Sequence, residues 1–255
     1  DYVPKRFQNR LLNFLYHFTD KIACSYSDAI WVLSPKMTEM RLKNGIAKMS
    51  PQVTIPMGAN LSRIHPLPIS KINRHQIVFA GHLLEKQGIQ LVIKALPNII
   101  KIINDVKFVI IGKGEYEEKL KNMAYNLNLS KNIAFLGFIE NHSDVEKILC
   151  SSAIGLAPYM PTPDSYTYFT DPGKPKLYLG CGLPIIITDV PPIAKIISSR
   201  CAGLLIDYNV KSITNSLLNL LTNEFLYAAF RKNALSLSRE YDTDRLIRNA
   251  FDNTN

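Results

Sequence analysis

The residues best suited to chemistry lie in one stretch, Asp171-Pro172-Gly173-Lys174-Pro175-Lys176, which runs on to an apolar strand ending at Asp189. Asp is a favoured helix N-cap and Pro a favoured first helical residue, so the spacing predicts a helix opening at Asp171 and Pro172. Gly173 and Lys174 would then offer unpaired backbone N–H groups at the positive end of the helix, beside a lysine ammonium. Such an end binds anions, and phosphate is the anion its two lysines suit.

Two further stretches carry backbone able to meet a phosphate. Gly81-His82-Leu83-Leu84-Glu85-Lys86-Gln87-Gly88 follows an apolar run; its glycines permit close approach and Lys86 supplies charge. Gly112-Lys113-Gly114-Glu115 begins like a dinucleotide fingerprint, but Glu117 stands where the third glycine belongs. It reads as a tight turn with Glu115 near a helix start and Lys113 as a phosphate or ribose contact. Between them and the helix start runs a long loop, 158–170, with Pro158, Pro161, Pro163, Tyr159, Tyr166, Tyr168, Phe169 and Asp164. Either its aromatics stack on a base or sugar, with Asp164 and Asp171 accepting hydroxyl hydrogen bonds, or they fold back onto the core. Nothing here provides covalent catalysis: no Gly-x-Ser-x-Gly elbow, Walker loop or His-Glu-x-x-His run is present. Positioning and phosphate stabilisation would have to do the work.

The elements that would hold these loops follow from periodicity. From residue 77 apolar strands alternate with amphipathic helices: strands at 77–80, 107–111, 133–136, 154–157, 185–187 and 203–206, helices at 89–103, 115–127, 142–150 and 192–199, then helices at 210–223, 225–239 and 244–251. The fold class is therefore α/β, a Rossmann-like parallel sheet with helices on both faces. Ligands of such sheets sit at the carboxyl ends of the strands, which puts Gly81, Gly112, Gly137, Pro158 and Asp189 on the functional edge. Upstream, a helix at 7–26, a strand at 29–33, a helix at 35–44 capped by Ser34 and stopped by Gly45, and a strand at 52–55 are too few for an independent doubly wound sheet. They are expected to be the closing part of a second, partial Rossmann-like domain.

Composition narrows the partners. A 255-residue chain with 47% hydrophobic residues can bury a substantial core, which excludes a disordered protein. A net charge of +9 favours anionic partners, and residues 1–68 hold nine Lys or Arg against four Asp or Glu, a net +5. Cys24, Cys150, Cys181 and Cys201 are scattered, and with the five histidines they form no metal-ligand spacing, so buried thiols in a reducing compartment are expected. No apolar stretch is long enough to span a bilayer.

Taken together, Phe79-Ala80-Gly81-His82-Leu83 with Gly88, the run from Phe108 to Gly114, Phe135-Leu136-Gly137-Phe138, and the run from Lys176 to Asp189 resemble the carboxyl-terminal domain of GT-B glycosyltransferases of family 4. Ile55-Pro56-Met57-Gly58-Ala59-Asn60 is similar to the turn that joins that family's two domains, and the last helix to the one that crosses back. The resemblance implies three divisions: 1–68, the end of the acceptor domain and linker; 69–240, the nucleotide-sugar-binding domain; and 241–255, the returning helix. It further implies a retaining transferase that moves a sugar from a nucleotide-diphosphate sugar, without cofactor or catalytic metal. The diphosphate would be held by Gly81, His82, Lys86, Gly173 and Lys174, and the nucleotide or sugar by Lys113, Gly137, Phe138, Tyr168 and Asp171. The acceptor site and the family's catalytic His would lie upstream of Asp1, leaving this chain as the donor-binding portion, inactive alone. The partners expected are a nucleotide-sugar donor and a glycan or lipid-linked acceptor, in the cytoplasm or peripheral to a membrane, and no nucleic acid.

The chain also departs from the pattern. His82 stands where many members have Arg, Gln87 where many have Lys, and Leu177 and Phe169 where many have a pair of Glu residues. Those departures keep two alternatives open: a non-catalytic nucleotide-sugar-binding module, or a GT-B nucleotide-sugar epimerase.

Overall fold

The computed structural model describes residues 7–43, 51–162 and 165–252. Gly45, Pro163, Asp164 and the side chain of Tyr166 fall outside the described residues. In chain order the elements are α1 (Arg10–Tyr26), β1 (Ile30–Val32), α2 (Pro35–Lys43), β2 (Gln52–Thr54), β3 (Gln76–Ala80), α3 (Ile89–Ile100), β4 (Lys107–Ile111) and α4 (Glu117–Asn126). There follow β5 (Ile133–Gly137), α5 (His142–Cys150), β6 (Ile154–Ala157), α6 (Gly173–Gly180), β7 (Ile185–Thr188), α7 (Ile193–Ser199), β8 (Gly203–Ile206), α8 (Val210–Thr222), α9 (Glu224–Ser238) and α10 (Thr243–Asp252).

Six strands form one parallel sheet in the order β5-β4-β3-β6-β7-β8, while β1 and β2 pair in parallel as a separate two-stranded sheet. The order reverses between β3 and β6, and the crevice at such a switch point is where doubly wound sheets place ligands. Strand residues alternate between two cores because successive side chains point to opposite faces. Ile77, Phe79, Phe108, Ile110 and Ile186 pack with α3 and α8, whereas Val78, Val109, Ile111, Ile185 and Ile187 pack with α6 and α7. Sealing both faces makes every middle residue apolar, as the Ile-Ile-Ile run of β7 displays. Each such side chain contributes roughly 1.5–3 kcal/mol on burial.

Ser34 caps α2 as the sequence suggests, its Oγ accepting from the Met37 N–H at 3.3 Å. Elsewhere tertiary bonds shift the expected boundaries. The Tyr116 N–H is drawn to the Leu83 carbonyl at 3.0 Å, so α4 opens at Glu117 rather than at Glu115. Helix α3 carries Pro97 in its interior and ends at Ile100, short of the expected 103, although the Ile103 N–H still reaches the Ile99 carbonyl at 2.8 Å. The apolar face read in the first helix is present but faces outward: Leu11, Phe14 and Phe18 are exposed, and Cys24 is the buried residue of α1.

The turns after β3 and β4 are zipped together. The Gly81 N–H donates to the Ile111 carbonyl and the Leu83 N–H to the Lys113 carbonyl, both at 2.9 Å. Gly112 lies at φ +130°, where a Cβ would stand 1.9 Å from the Gly81 carbonyl oxygen. No side chain fits there. Gly112→Ala is expected to lower unfolding stability by at least about 2 kcal/mol in denaturant titration; an unchanged midpoint would contradict this packing.

Candidate functional site

The helix start that the sequence singled out lies at the carboxyl edge of the sheet, next to the switch point, and differs from expectation in one respect. Asp171 is not its N-cap. Pro172, in extended conformation, holds the capping position without a side-chain bond, and Gly173 is the first helical residue. Asp171 turns away because its carboxylate is held elsewhere. One oxygen accepts from the Lys176 ammonium and the other from the Met57 N–H at 2.7 Å. Lys176 is fully buried and also donates to the Pro172 carbonyl at 3.1 Å. Burial pulls the Lys176 ammonium down to about 8, against the opposing influence of Asp171, and pushes the Asp171 carboxyl upward. With no side-chain cap, and with Pro175 lacking a donor, the first turn presents the N–H groups of Gly173 and Lys174.

Lys174 reaches from this turn across the end of β3. Its ammonium donates to Gln87 Oε1 at 2.7 Å and lies 3.7 Å from the centroid of the Phe79 ring. A Cβ built on Gly81 would be 3.1 Å from Lys174 Cε, so the bare glycine makes room for the lysine stem. Desolvation holds the Lys174 ammonium well below the usual lysine value. An anion beside this amine would favour its charged form.

Beside it opens a cleft of about 500 Å³ lined by Gly81, His82, Gly112, Lys113, Phe138, Ile139, His142, Val145 and Leu177. The structure thus brings together Gly81, His82, Lys113 and Phe138, and the Lys174 side chain adjoins them through Gly81. Gly137 backs the wall, its carbonyl accepting from the Gly112 N–H at 2.7 Å. The wall bearing His142, Val145 and Leu177 also bounds a second hollow of about 220 Å³, which reaches Gly173, Asn60, Arg63 and Glu146. There Glu146 holds Arg63 through a contact of 2.6 Å.

Three expected site residues lie elsewhere. Lys86 sits in a short 3-10 turn whose carbonyl accepts from the Met160 N–H, and it is not part of the cleft wall. Tyr168 packs on the core beneath the Lys36 ammonium, 5.8 Å from its ring centroid. Tyr159 is buried too, so of the two readings of the 158–170 loop these tyrosines follow the one that folds back. Asp171 is buried against Lys176. Sequence reasoning missed Gln87 and His142. Gln87 is visible only as a departure from a pattern, and His142 gains its place because α5 starts beside the cleft. Tyr178 was also missed: its hydroxyl accepts from the Ala80 N–H at 2.8 Å and ties α6 to the end of β3. Gly155 makes room for it, since a Cβ there would lie 2.6 Å from the Tyr178 ring.

Among the described residues no group of three His, Cys, Asp or Glu side chains is arranged to hold a metal ion. No helix among them is long and apolar enough to cross a membrane.

Comparison with known proteins bears on the family and the fold. A family model described as glycosyl transferases group 1 matches residues 74–223. A glycosyltransferase of Haemophilus influenzae is 26% identical over 184 residues, covering 70% of this chain and 48% of the relative. The phosphatidyl-myo-inositol mannosyltransferase of Mycobacterium leprae is 23% identical over 204 residues, covering 76% and 50%. The chain therefore spans about half the length of these curated relatives. Among solved structures, Anabaena HepE in complex with UDP and glucose superposes with a TM-score of 0.75 at 15% identity, covering 98% of this chain and 68% of that one. The pneumococcal O-GlcNAc transferase in complex with UDP and GlcNAc superposes at 0.74 with 17% identity, covering 94% and 47%. The fold is the α/β fold of GT-B glycosyltransferases.

The displaced titration of Lys174 gives a signed expectation. An anion at the helix start favours the ammonium, so the bound-state pKa lies above the free one and protons are taken up between the two. Sulfate, which does not titrate near neutrality, should lose affinity as pH rises through the free value. Calorimetry in two buffers of different ionisation enthalpy should record proton uptake in the parent and none in Lys174→Met. Equal uptake by both proteins would remove Lys174 from the anion site.

Proposed function

The chain belongs to the group 1 glycosyl transferases, and on that premise we propose that it holds the nucleotide-diphosphate sugar from which such an enzyme transfers. The observation that carries this reading is the uncapped first turn of α6, where the Lys174 side chain crosses the bare backbone of Gly81, itself part of the cleft wall, and Gly173 lines the adjoining hollow. Two adjacent backbone donors, a helix end and a lysine in a partly dry setting suit a diphosphate. The nucleoside would occupy the 500 Å³ cleft, where Phe138 and Ile139 offer apolar surface and Lys113 a charge. His82, next to Gly81 in the cleft wall, would lie between the nucleoside and the diphosphate.

The reaction proposed is transfer with retention of anomeric configuration. The leaving diphosphate would be stabilised by Lys174 and the end of α6, and no metal ion would be required. That chemistry asks the protein mainly to orient the donor and to match charge that builds on the departing phosphate. Residues 69–240 would form the donor domain, residues 1–68 the end of the acceptor domain and 241–255 the helix that returns to it. The chain would be inactive by itself. A lipid-linked or membrane-surface acceptor, handled at the cytoplasmic side, is supported by the net +5 of residues 1–68 and by the phosphatidyl-myo-inositol named in the mycobacterial relative.

Leu177 favours a second reading. It places an apolar side chain in the cleft wall where family members often carry Glu, which suits a module that binds the nucleotide-sugar without transferring it. Turnover by a protein extended with a complete acceptor domain separates the two readings, since a module transfers nothing.

Calorimetry with UDP- and GDP-sugars tests the proposal. One of them should bind the chain, and Lys174→Ala should weaken that binding by roughly tenfold to a hundredfold, the loss of one hydrogen bond from a charged group. A folded chain that binds neither would refute the donor role, and equal affinity of mutant and parent would refute the assignment of Lys174.

A further inference from the structure

The Asp171–Lys176 pair is buried where three separate pieces of chain meet. Asp171 precedes α6 and Lys176 lies in it. The turn at 56–60 arrives from the β1–β2 unit, and the segment at 241–243 leads into α10. Asp171 binds the Met57 N–H at 2.7 Å, and a Cβ on Gly173 would stand 3.7 Å from the Met57 side chain. The Lys176 ammonium lies 5.5 Å from the centroid of the Tyr241 ring. The turn and the return segment are themselves stitched: the Ala59 N–H donates to the Tyr241 carbonyl at 2.9 Å and the Thr243 N–H to the Ala59 carbonyl at 3.1 Å. Gly58 is held so tightly that a Cβ would fall 2.7 Å from Thr243 Oγ1.

A buried ion pair is a poor way to fill space. Apolar side chains of similar volume are often as stabilising or more so, because both charges must be stripped of water. What the pair supplies is direction. One carboxylate oxygen is fixed by Lys176 and the other by Met57, so the first turn of α6 and the joint cannot shift independently without breaking a desolvated contact. We propose that Asp171 and Lys176 are positioning residues that couple the anion-binding start of α6 to the joint formed by residues 56–60 and 241–243. The inference rests on the donor reading above. Occupancy of the helix start and the packing of the joint then influence each other reciprocally, as linkage requires.

The chain carries its own reporter. Trp31 is the single tryptophan of the sequence. It lines a groove with Met57, Gly58, Thr243 and Ile247, and meets the Phe251 ring edge-on with centroids 5.2 Å apart. UDP or GDP should bind the parent with a change in Trp31 emission whose midpoint matches the calorimetric one. The double variant Asp171→Ala with Lys176→Met removes both charges together, so no lone charge is left buried. Folded by circular dichroism, it should bind the same nucleotide about tenfold more weakly and with no change in Trp31 emission. If it does not fold, Asp171→Asn with Lys176→Met replaces it, keeping an oxygen for Met57 and leaving no lone buried charge, and its emission change should be reduced. Calorimetric binding to the parent without a Trp31 response overturns the coupling while leaving the donor reading in place, and so does a variant with the parent's affinity and response. Absence of calorimetric binding by either nucleotide to the parent overturns the donor reading, and the coupling with it.

Discussion

The structure depends on where one carboxylate points. An aspartate just ahead of a helix ordinarily caps it, filling the N–H groups that an anion would use. Here Lys176, buried one turn into α6, draws Asp171 aside, and the Met57 peptide takes its second oxygen. The first turn is left uncapped. Pro175 removes a further donor, so the free capacity is concentrated at Gly173 and Lys174. Gly81 and Gly112 carry no Cβ, the turns after β3 and β4 are zipped by hydrogen bonds, and Tyr178 pins α6 to the end of β3.

Two lysines two residues apart have opposite tasks. Lys176 is sealed in the interior and holds a carboxylate, and its contribution is orientation rather than stability. Lys174 is parked between Gln87 and the Phe79 ring, where desolvation depresses its charge. A phosphate placed there would supply the missing counter-charge where water screens it weakly. Gln87 therefore has a role that its departure from the family pattern does not suggest: it holds the amine in position without neutralising it, as a carboxylate would.

Much of this was legible in the sequence. The strand and helix order, the parallel sheet and the glycine-bearing turns follow from periodicity and from the small set of ways an alternating α/β chain can wind. The juxtaposition of Gly81, Lys113 and Phe138, with Lys174 against Gly81, follows from placing strand ends on one edge. What was not legible depended on contacts between distant residues. The capping rule at Asp171 is local, and it was defeated by a partner five residues on and by a peptide at position 57. Tyr168 looked available because loop aromatics can face either way, and only the packing of the core decides. The same holds for Glu115, whose helix starts two residues later because Leu83 claims the Tyr116 N–H.

The central claim is that a diphosphate sits on the first turn of α6, and backbone amide resonances read it directly. Titration of the isotopically labelled chain with UDP or GDP should move the amide signals of Gly173 and Lys174 downfield, as expected for N–H groups that gain an anionic acceptor. If the nucleotide binds and shifts other amides while those of Gly173 and Lys174 stay in place, the helix start is not the phosphate site and the account fails.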